Sequence, residues 1–485
     1  MSEVNAQDLT IINNMDDVYD LYTGVGDSGK SGLEIELAFV DPDQPDLDIM
    51  SLSQNRVLKH SALSSLEDGD WLHNEPTSEL LEIASNAAAF PEIGSVLADV
   101  NAKIRLLTKK AQDLGLKRSY FQELPDKTAD ELLRNIVDLD RYQIMYAPYR
   151  EDMKQCVQYF AVCKSNQVSV SHRDPEHLLE NVRRLYALAP FLFLLSDNSS
   201  AFIENKGFKG HGGMALRHNG LLEGRGGVLP YVFDVQSGEE LIVRHIEHVM
   251  RNPIFMYYCK DGSLKGVPSG DWSVTFDRLK EKGLNTASNY YLAQSLLWPD
   301  VKIATLKDSS GKVNGHRYEA RMFGVGIHQH QTAYIITSAL AFNQRFSEGV
   351  HDLLDRYGLA YSPDLFGNVQ QAYASAREHN GAFFDIPYGE GTMQDFAKDF
   401  AYLLETLAND IDMEDELLPA ITICRTGCTD AKVNRLLFPT LEETITFQRE
   451  HDSELFFNPN QCAVMAFERE LERDVPSSCC TSVRS

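Results

Sequence analysis

Residues 32–39 read GLEIELAF, an alternation of apolar side chains with two carboxylates that is typical of a β-strand buried on one face. Residues i and i+2 of a strand point to the same face, so Glu34 and Glu36 project together, and the apolar side chains between them face the other way. The pattern predicts a strand over 33–40, with its acidic face directed either at water or at a ligand.

The residues before this strand, 24–31, match the phosphate-loop pattern G-x-x-x-x-G-K-[ST]. A phosphate loop binds nucleotide because an apolar strand precedes it and the N-terminus of a helix follows it. Here acidic residues precede the match and the predicted strand follows it. We therefore interpret Lys30 and its glycines as a turn leading into the strand, with a phosphate-loop NTPase as the alternative.

Two further segments combine acidic residues with strand-like apolar runs. They are NEPTSELLEIAS, residues 74–85, and YEARMFG, residues 318–324. Their glutamates are Glu75, Glu79, Glu82 and Glu319, the last of which shares a strand face with Arg321. One acidic strand is typical of a solvated face, whereas several of them together suggest a shared acidic cup.

Such a cup predicts a bound cation, because clustered carboxylates repel one another and raise each other's pKa. Oxygen ligands without cysteines or paired histidines indicate Mg²⁺ or Mn²⁺ rather than zinc. Arginine supplies a planar fork that suits carboxylate or phosphate, and Arg217, Arg225 and Arg321 are candidates for that role. An acidic protein can therefore still bind ATP through metal.

The order of predicted elements indicates an α+β fold with an antiparallel sheet, since strands dominate the first two thirds and helices follow. Further strands are expected over 79–84, 157–171, 301–306 and 317–323. Helices are expected over 15–22, 91–114, 175–196, 332–356, 392–409 and 461–473. The third has a clear start signal, since Asp174 precedes it and Pro175 is its first residue.

Composition excludes several classes of partner. The 485 residues have a net charge of −26 and a pI near 4.9, which argues against nucleic acid and anionic membranes. No apolar run is long enough to span a membrane, and the N-terminal residues lack the features of a secretory signal. The eight cysteines lack zinc-site spacing and are expected to be reduced thiols in a cytoplasmic protein, with Cys479 and Cys480 as exposed tail thiols.

Six segments, in the same order along the chain, resemble the glutamate–cysteine ligase family within the carboxylate–amine ligase superfamily, and most closely its plant and proteobacterial branch. The six are GLEIEL (32–37), NEPTSELLEIAS (74–85), SNQVSVSH (165–172), LFLLSDNSSAFIENKGF (192–208), MALRHNGLLEGRGGVLPYVFD (214–234) and YEARMFG (318–324).

This resemblance implies a glutamine-synthetase-like fold, in which a curved antiparallel sheet forms a cup flanked by helices. It implies a polar lead-in over 1–31, a catalytic core over 32–335 and a mostly helical part over 336–485 packed on the same domain. The implied metal ligands are Glu34, Glu36, Glu75, Glu82 and Glu319, with Gln167 as an optional further ligand. The implied catalytic residues are Arg217 and Arg321, the substrate contacts Arg217, Arg225 and Gln167, and the ATP contacts Arg321, Lys206 and Asn198.

The function that the resemblance implies is ATP- and Mg²⁺-dependent formation of a γ-glutamyl amide bond from glutamate and cysteine, as in glutathione precursor synthesis. The segment between Arg217 and Arg225 is shorter than in the plant branch, so a non-cysteine amine acceptor is an alternative. A non-catalytic nucleotide- or metal-binding homologue is a second alternative to this function. The small-molecule partners are then glutamate, ATP and the amine, and the oligomeric state is left open.

His328 and His330 form an H-x-H pair, which can chelate a metal when it lies on a strand. They follow the last predicted strand at the entry to a helix, so we expect an incidental pair. Cys424 and Cys428 are close enough in sequence for a regulatory disulfide, which the sequence leaves open.

Overall fold

A computed structural model describes residues 8–24, 29–43, 49–66, 71–146, 162–208, 224–307, 311–360, 364–378 and 386–450. Its strands are β1 Lys30–Val40, β2 Leu72–Asn74, β3 Leu80–Ala84, β4 Ala88–Ala89, β5 Lys117–Arg118, β6 Ser165–Ser171, β7 Phe202–Ile203, β8 Lys206–Gly207, β9 Gly226–Gly227, β10 Met256–Tyr258, β11 Leu264–Gly266, β12 Trp298–Pro299, β13 Val301–Lys307, β14 Val313–Gly324, β15 Pro387–Tyr388 and β16 Gly391–Thr392.

The helices are α1 Asp16–Tyr19, α2 Leu52–Leu63, α3 Ile93–Gln112, α4 Ala129–Leu132, α5 Asp140–Met145, α6 Pro175–Leu195, α7 Tyr231–Asp234, α8 Gly238–Arg251, α9 Phe276–Leu279, α10 Ala287–Ser295, α11 Gln329–Phe342, α12 Gln344–Arg356, α13 Leu365–Glu378, α14 Met393–Ile411, α15 Glu414–Thr426, α16 Asp430–Leu437 and α17 Leu441–Glu450. Arg217, the predicted helix 461–473, and Cys479 and Cys480 lie outside the described residues.

The main sheet is antiparallel and curved, with strand order β13-β14-β6-β1-β3-β2 and with β4 and β5 also paired to β1. Strands that are far apart in sequence become neighbours in this order: β1 lies between β3 and β6, and β14 lies next to β6. Helices flank the sheet, so the predicted α+β class with a cup-shaped antiparallel sheet is confirmed.

The two faces of the sheet separate apolar from charged side chains, as the alternation in β1 predicts. Leu33, Ile35 and Leu37 are buried in the core together with Val168 of β6 and Tyr318 of β14. Helices α6 and α11 pack on this apolar face, and the later helices α13 and α15 pack in turn on α6. The opposite face, which we call the concave face, has the polar side chains of β1, β3, β6, β13 and β14, together with a second apolar cluster that includes Ala38, Val40 and Leu80.

The helix predictions are confirmed for 91–114, 175–196 and 392–409, with bounds within a few residues of α3, α6 and α14. Helix α6 begins as predicted, because the side chain of Asp174 accepts from the backbone N–H of His177 at 2.8 Å. The single helix predicted over 332–356 is wrong, since Asn343 separates α11 from α12 and caps α12 by accepting from the N–H of Phe346.

The residues of the phosphate-loop match that the structure describes enter a strand rather than a helix. Strand β1 begins at Lys30, three residues earlier than predicted, and continues to Val40. Ser31 is buried, and its hydroxyl donates to Tyr334 at 3.2 Å and accepts from Ser338 at 2.7 Å. Lys30 and Ser31 are therefore not followed by the helix N-terminus that a phosphate loop requires.

One cluster of buried apolar side chains extends from Ile12 to Cys424 and includes residues from each of the three predicted segments. The predicted boundary between residues 335 and 336 falls inside α11. The division into a lead-in, a core and a helical part stays a prediction.

Candidate metal and ligand site

Glu36, Glu75 and Glu82 lie together on the concave face, and we call them the carboxylate triad. Glu36 of β1 and Glu82 of β3 are direct partners in the antiparallel register, and Glu75 follows the end of β2. Each offers a carboxylate oxygen, and these oxygens all lie within 4.8 Å of one another. The triad is therefore compact enough for a single cation to contact all three residues.

The turn after Glu75 is fixed by backbone hydrogen bonds to a distant segment. The N–H of Val137 donates to the carbonyl of Pro76 at 3.0 Å, and the N–H of Ser78 donates to the carbonyl of Asn135 at 2.9 Å. Three donors likewise hold Glu36: the backbone N–H of Ser165 at 2.7 Å, the hydroxyl of Ser165 at 3.2 Å and the amide of Gln167 at 2.8 Å. Gln167, predicted as a substrate contact, thus orients a carboxylate of the triad.

Among the described residues, the charges of Arg141 and Arg321 do not offset the burial and mutual repulsion of the triad carboxylates. Burial, followed by the charge of Glu36, raises the pKa of Glu75 to about 8. Burial, followed by the charges of neighbouring carboxylates, raises the pKa of Glu82 well above its ordinary value, and burial also raises the pKa of Glu36. A set of carboxylates that resists ionisation becomes stable as anions when a cation lies among them.

Glu34 and Glu319, also predicted as metal ligands, pair with arginines on the same face. Arg317 Nη2 lies 3.4 Å from Glu34 Oε1 and 3.9 Å from Glu319 Oε2, while Arg321 Nη1 contacts Glu319 Oε1. Burial acts to raise the pKa of Glu319, but Arg321, Lys302 and Arg317 together outweigh it and lower that pKa to about 2. Each of these two glutamates lies within ion-pair distance of an arginine, although burial and the charge of Glu319 still raise the pKa of Glu34.

The other predicted contacts lie in different surroundings. Arg225 is buried, with its guanidinium 4.0 Å from the centre of the Phe255 ring and Nη1 donating to the carbonyl of Leu296 at 3.0 Å. Asn198 is buried as well, and its amide donates to Tyr120 and Val325. Lys206 lies exposed in the short β7–β8 hairpin. Their roles in binding substrate or ATP stay predictions.

His328 and His330 have separate partners, as expected of an incidental pair. His328 Nε2 lies 2.8 Å from Asp430 Oδ2, whereas His330 Nε2 lies 2.9 Å from Asn101 Oδ1. Burial lowers the pKa of His330 to about 3, so this ring is neutral. Cys424 is buried and is a free thiol, and Cys428 is partly buried.

Three cations of the concave face were not predicted. Arg317 precedes Glu319 by two residues, so the same i, i+2 argument that selected Arg321 could have found it. Lys302 faces the site because it pairs with Glu319 across β13 and β14, a register that the sequence does not reveal. Arg141 of α5 lies near the cup, since its charge acts on both Glu75 and Lys302, and no sequence signal marks it.

Without divalent metal, the unfolding temperature should fall by a few degrees as pH rises from about 5 to about 8. The folded protein keeps the Glu75 proton up to a pKa of about 8, whereas the unfolded chain loses it near the ordinary glutamate value, so raising the pH favours unfolding. Scanning calorimetry in chelator should give a shallower pH slope for Glu75→Gln. The exposed control Glu281→Gln should keep the wild-type slope, and identical slopes for all three proteins would contradict the raised pKa.

Comparison with solved structures identifies the fold. The chain is similar to the glutamate–cysteine ligase of Francisella tularensis, determined in complex with AMP, with a TM-score of 0.52, 8% sequence identity, and coverage of 93% of this chain and 95% of that chain. At this identity the likeness establishes the fold alone: that of a glutamate–cysteine ligase, in agreement with the resemblance of the six sequence segments.

Two further matches are weaker. A bifunctional glutathione synthetase from Pasteurella multocida gives a TM-score of 0.40 and 10% identity over 95% of this chain and 54% of that chain. A glutamine synthase homologue gives a TM-score of 0.34 and 11% identity over 90% of this chain and 70% of that chain. No family model and no curated protein matches the sequence. Among the helices of the described residues, none combines the length and the apolar character needed to cross a membrane.

Proposed function

We propose that the protein is an ATP- and Mg²⁺-dependent ligase that joins the γ-carboxylate of glutamate to the amine of cysteine. The observation that carries this proposal is the carboxylate triad, placed beside a row of arginines on the concave face of a sheet with the fold of a glutamate–cysteine ligase. The fold supplies the expectation, and the charges of this chain's own residues support it independently.

The residues of the triad fit a magnesium ion. They offer carboxylate oxygens, which Mg²⁺ prefers, and their raised pKa values favour binding of a cation. Glu36, Glu75 and Glu82 would hold the ion, and bound magnesium would supply neutralisation of phosphate charge. Glu34 and Glu319 stay predicted as further ligands, and their ion pairs also position Arg317 and Arg321.

The arginines suit the charge that ligation develops. In the proposed reaction a carboxylate oxygen of glutamate attacks the terminal phosphorus of ATP, ADP leaves, and the amine then displaces phosphate from the acyl phosphate. Phosphoryl transfer depends on positioning and charge stabilisation rather than on a protein nucleophile. Arg317 and Arg321 offer fixed guanidinium groups on this face, and Gln167 and Ser165 fix the position of Glu36.

The proposal is tested by phosphate release from ATP in the purified protein, with glutamate and a panel of amines. We expect release that requires both Mg²⁺ and glutamate, with cysteine as the productive acceptor and γ-glutamylcysteine identified by mass spectrometry. Turnover with another amine but not with cysteine would overturn the acceptor and leave the ligase chemistry in place. ATP binding without any glutamate-dependent turnover would overturn the ligase proposal in favour of a non-catalytic homologue.

A further inference from the structure

The last described helices, α16 and α17, pack against the end of the cup where β6 begins and β14 ends. Phe438, which follows α16, and Phe447 of α17 form a separate apolar cluster with Tyr120 and Phe121, two residues of the segment after β5. The proposed function assigns these two helices no part in the reaction, although they lie close to the segments that hold the carboxylate triad.

A buried pair of amides connects α16 to this end of the sheet. Asn434 Nδ2 donates to Asn198 Oδ1 at 3.0 Å, and both residues are only 1% exposed. The amide of Asn198 in turn donates to the carbonyl of Tyr120 at 2.7 Å and to that of Val325 at 3.2 Å. The side chain of Asn198 therefore joins three segments that are far apart in sequence: α16, the residues after β5 and the residues after β14.

Backbone hydrogen bonds continue this connection as far as the carboxylate triad. The N–H of Gln122 donates to the carbonyl of Asn198 at 3.2 Å, and the N–H of Lys164 donates to the carbonyl of Gln122 at 3.0 Å. The next residue, Ser165, donates to Glu36 through both its backbone N–H and its hydroxyl. The path from α16 to the triad thus consists of hydrogen bonds joined by short stretches of buried backbone.

Two glycines allow the segments around Asn198 to approach one another. A Cβ atom at Gly324 would lie 2.5 Å from the carbonyl oxygen of Ser196, and a Cβ atom at Gly326 would lie 2.8 Å from Asn198 Nδ2. Both distances are well inside the ordinary contact of about 3.5–4.0 Å, so a side chain at either position would push these segments apart. Close contact at Asn198 therefore depends on glycine at both places.

The simplest alternative is that Asn434 only attaches α16 to the rest of the protein. Apolar contacts can attach a helix, and Phe438 and Phe447 already supply them. A buried amide is costly unless its partners are in place. Asn434 directs its amide at Asn198 and at the carbonyl of Ser199, 3.3 Å away, so it fixes one arrangement of these segments as apolar contacts cannot.

We propose that Asn434 is a positioning residue for the carboxylate triad, which acts through Asn198 and Ser165 on the orientation of Glu36. Loss of a partner that orients a ligating side chain typically weakens metal affinity or activity by about 10–100-fold. Asn434 acts through several hydrogen bonds, so we expect the lower end of that range. This inference rests on the proposed function only in taking the triad as a metal site.

The test measures Mn²⁺ binding by electron paramagnetic resonance, which needs no turnover, and the triad site is the one that Glu82→Gln loses. Asn434→Leu removes the amide, keeps most of its volume and should weaken Mn²⁺ binding at this site by about 10-fold. The matched control is Asn181→Leu in α6, because Asn181 is also 1% exposed and its amide donates to the carbonyl of His177 at 2.7 Å. We expect the control to lose a comparable amount of stability and to keep the wild-type affinity.

A milder second variant keeps the test decisive if Asn434→Leu does not fold. Asp430→Asn keeps the shape of a side chain that contacts His328 and Gln329 at the start of α16, and it removes the charge. It should loosen α16 and weaken Mn²⁺ binding in the same direction, by a smaller factor than Asn434→Leu. Wild-type affinity in every variant of α16 that folds would overturn the positioning role.

Steady-state kinetics add a measurement that a purely structural role would not change. We expect the Mg²⁺ concentration for half-maximal turnover to rise in Asn434→Leu, while kcat at saturating Mg²⁺ stays close to that of the wild type. A lower kcat with an unchanged Mg²⁺ requirement would overturn the positioning role, as would a wild-type protein without a Mn²⁺ site that Glu82→Gln removes.

The same measurements separate this inference from the proposed function. If the wild-type protein binds Mn²⁺ but shows no ligase turnover, and Asn434→Leu weakens that binding, only the proposed function fails. If the wild type is an active ligase and Asn434→Leu binds Mn²⁺ as tightly as Asn181→Leu does, only the positioning role is overturned.

Discussion

Replacing Glu82 by Gln should lower Mg²⁺-dependent ATP turnover by about 100-fold or more while leaving the metal-free protein at least as stable as the wild type. Glu82 lies directly opposite Glu36 and within the compact triad, so the change removes one of three carboxylates that would hold the ion. It also removes a charge whose burial is unfavourable, since the pKa of Glu82 is raised well above its ordinary value.

Two measurements on Glu82→Gln separate metal binding from folding. In chelator, the unfolding temperature of the variant should equal or exceed that of the wild type. On addition of Mg²⁺, the wild type should gain stability by linkage and the variant should gain far less. The control is Glu79→Gln, another buried glutamate with a pKa raised to about 7, whose carboxylate accepts from Thr77 and lies outside the triad.

We expect the control to keep both its turnover and its response to Mg²⁺. Wild-type turnover in Glu82→Gln would remove the triad from the mechanism. A loss of stability in chelator would contradict the view that the three carboxylates repel one another in the folded protein.

Replacing Arg321 by Met should destabilise the protein by about 3–5 kcal/mol and also lower turnover by about 100-fold or more. Arg321 contacts Glu319, which is only 3% exposed and whose pKa is lowered to about 2 by the surrounding cations despite its burial. Removal of the closest cation leaves a buried carboxylate with less compensation, and breaking one side of such a pair is costly.

The double variant Glu319→Gln/Arg321→Met distinguishes a structural role of Arg321 from a role in the reaction. Chemical denaturation should show that the double variant recovers most of the lost stability, because Arg321 and the buried carboxylate that it contacts are removed together. Turnover should stay low, since the guanidinium that would contact phosphate is still absent. Recovery of activity along with stability would mean that Arg321 serves only to neutralise Glu319.

The fold class followed from local patterns, for a physical reason that β1 illustrates. Its alternation specifies one apolar face, and the side chains of Leu33, Ile35 and Leu37 are buried as a result. Helix α6 was predictable from its cap and first proline, because these act through nearest neighbours in the chain. The break between α11 and α12 was missed, since the residues on both sides are compatible with a helix and only the cap at Asn343 divides them.

The site was predictable in composition but not in arrangement. Each acidic segment indicates which glutamates share a face, yet all five predicted ligands appeared equivalent in the sequence. The order β14-β6-β1-β3 then places Glu82 beside Glu36, and Glu34 within reach of Arg317. Strand pairing between residues far apart in sequence has no local signal, so the triad could not be assigned from periodicity.

The sequence by itself determined that the chain forms an antiparallel sheet with carboxylates on one face, because side-chain alternation along a strand is a local property. It also determined that the phosphate-loop match leads into a strand rather than into the helix of a phosphate loop. Only the tertiary structure decided which glutamates of the described residues lie together as the triad and which pair with an arginine. Charges interact through space, and the distances between them are set by strand order and by the packing of α5 at the site, not by their separation along the chain.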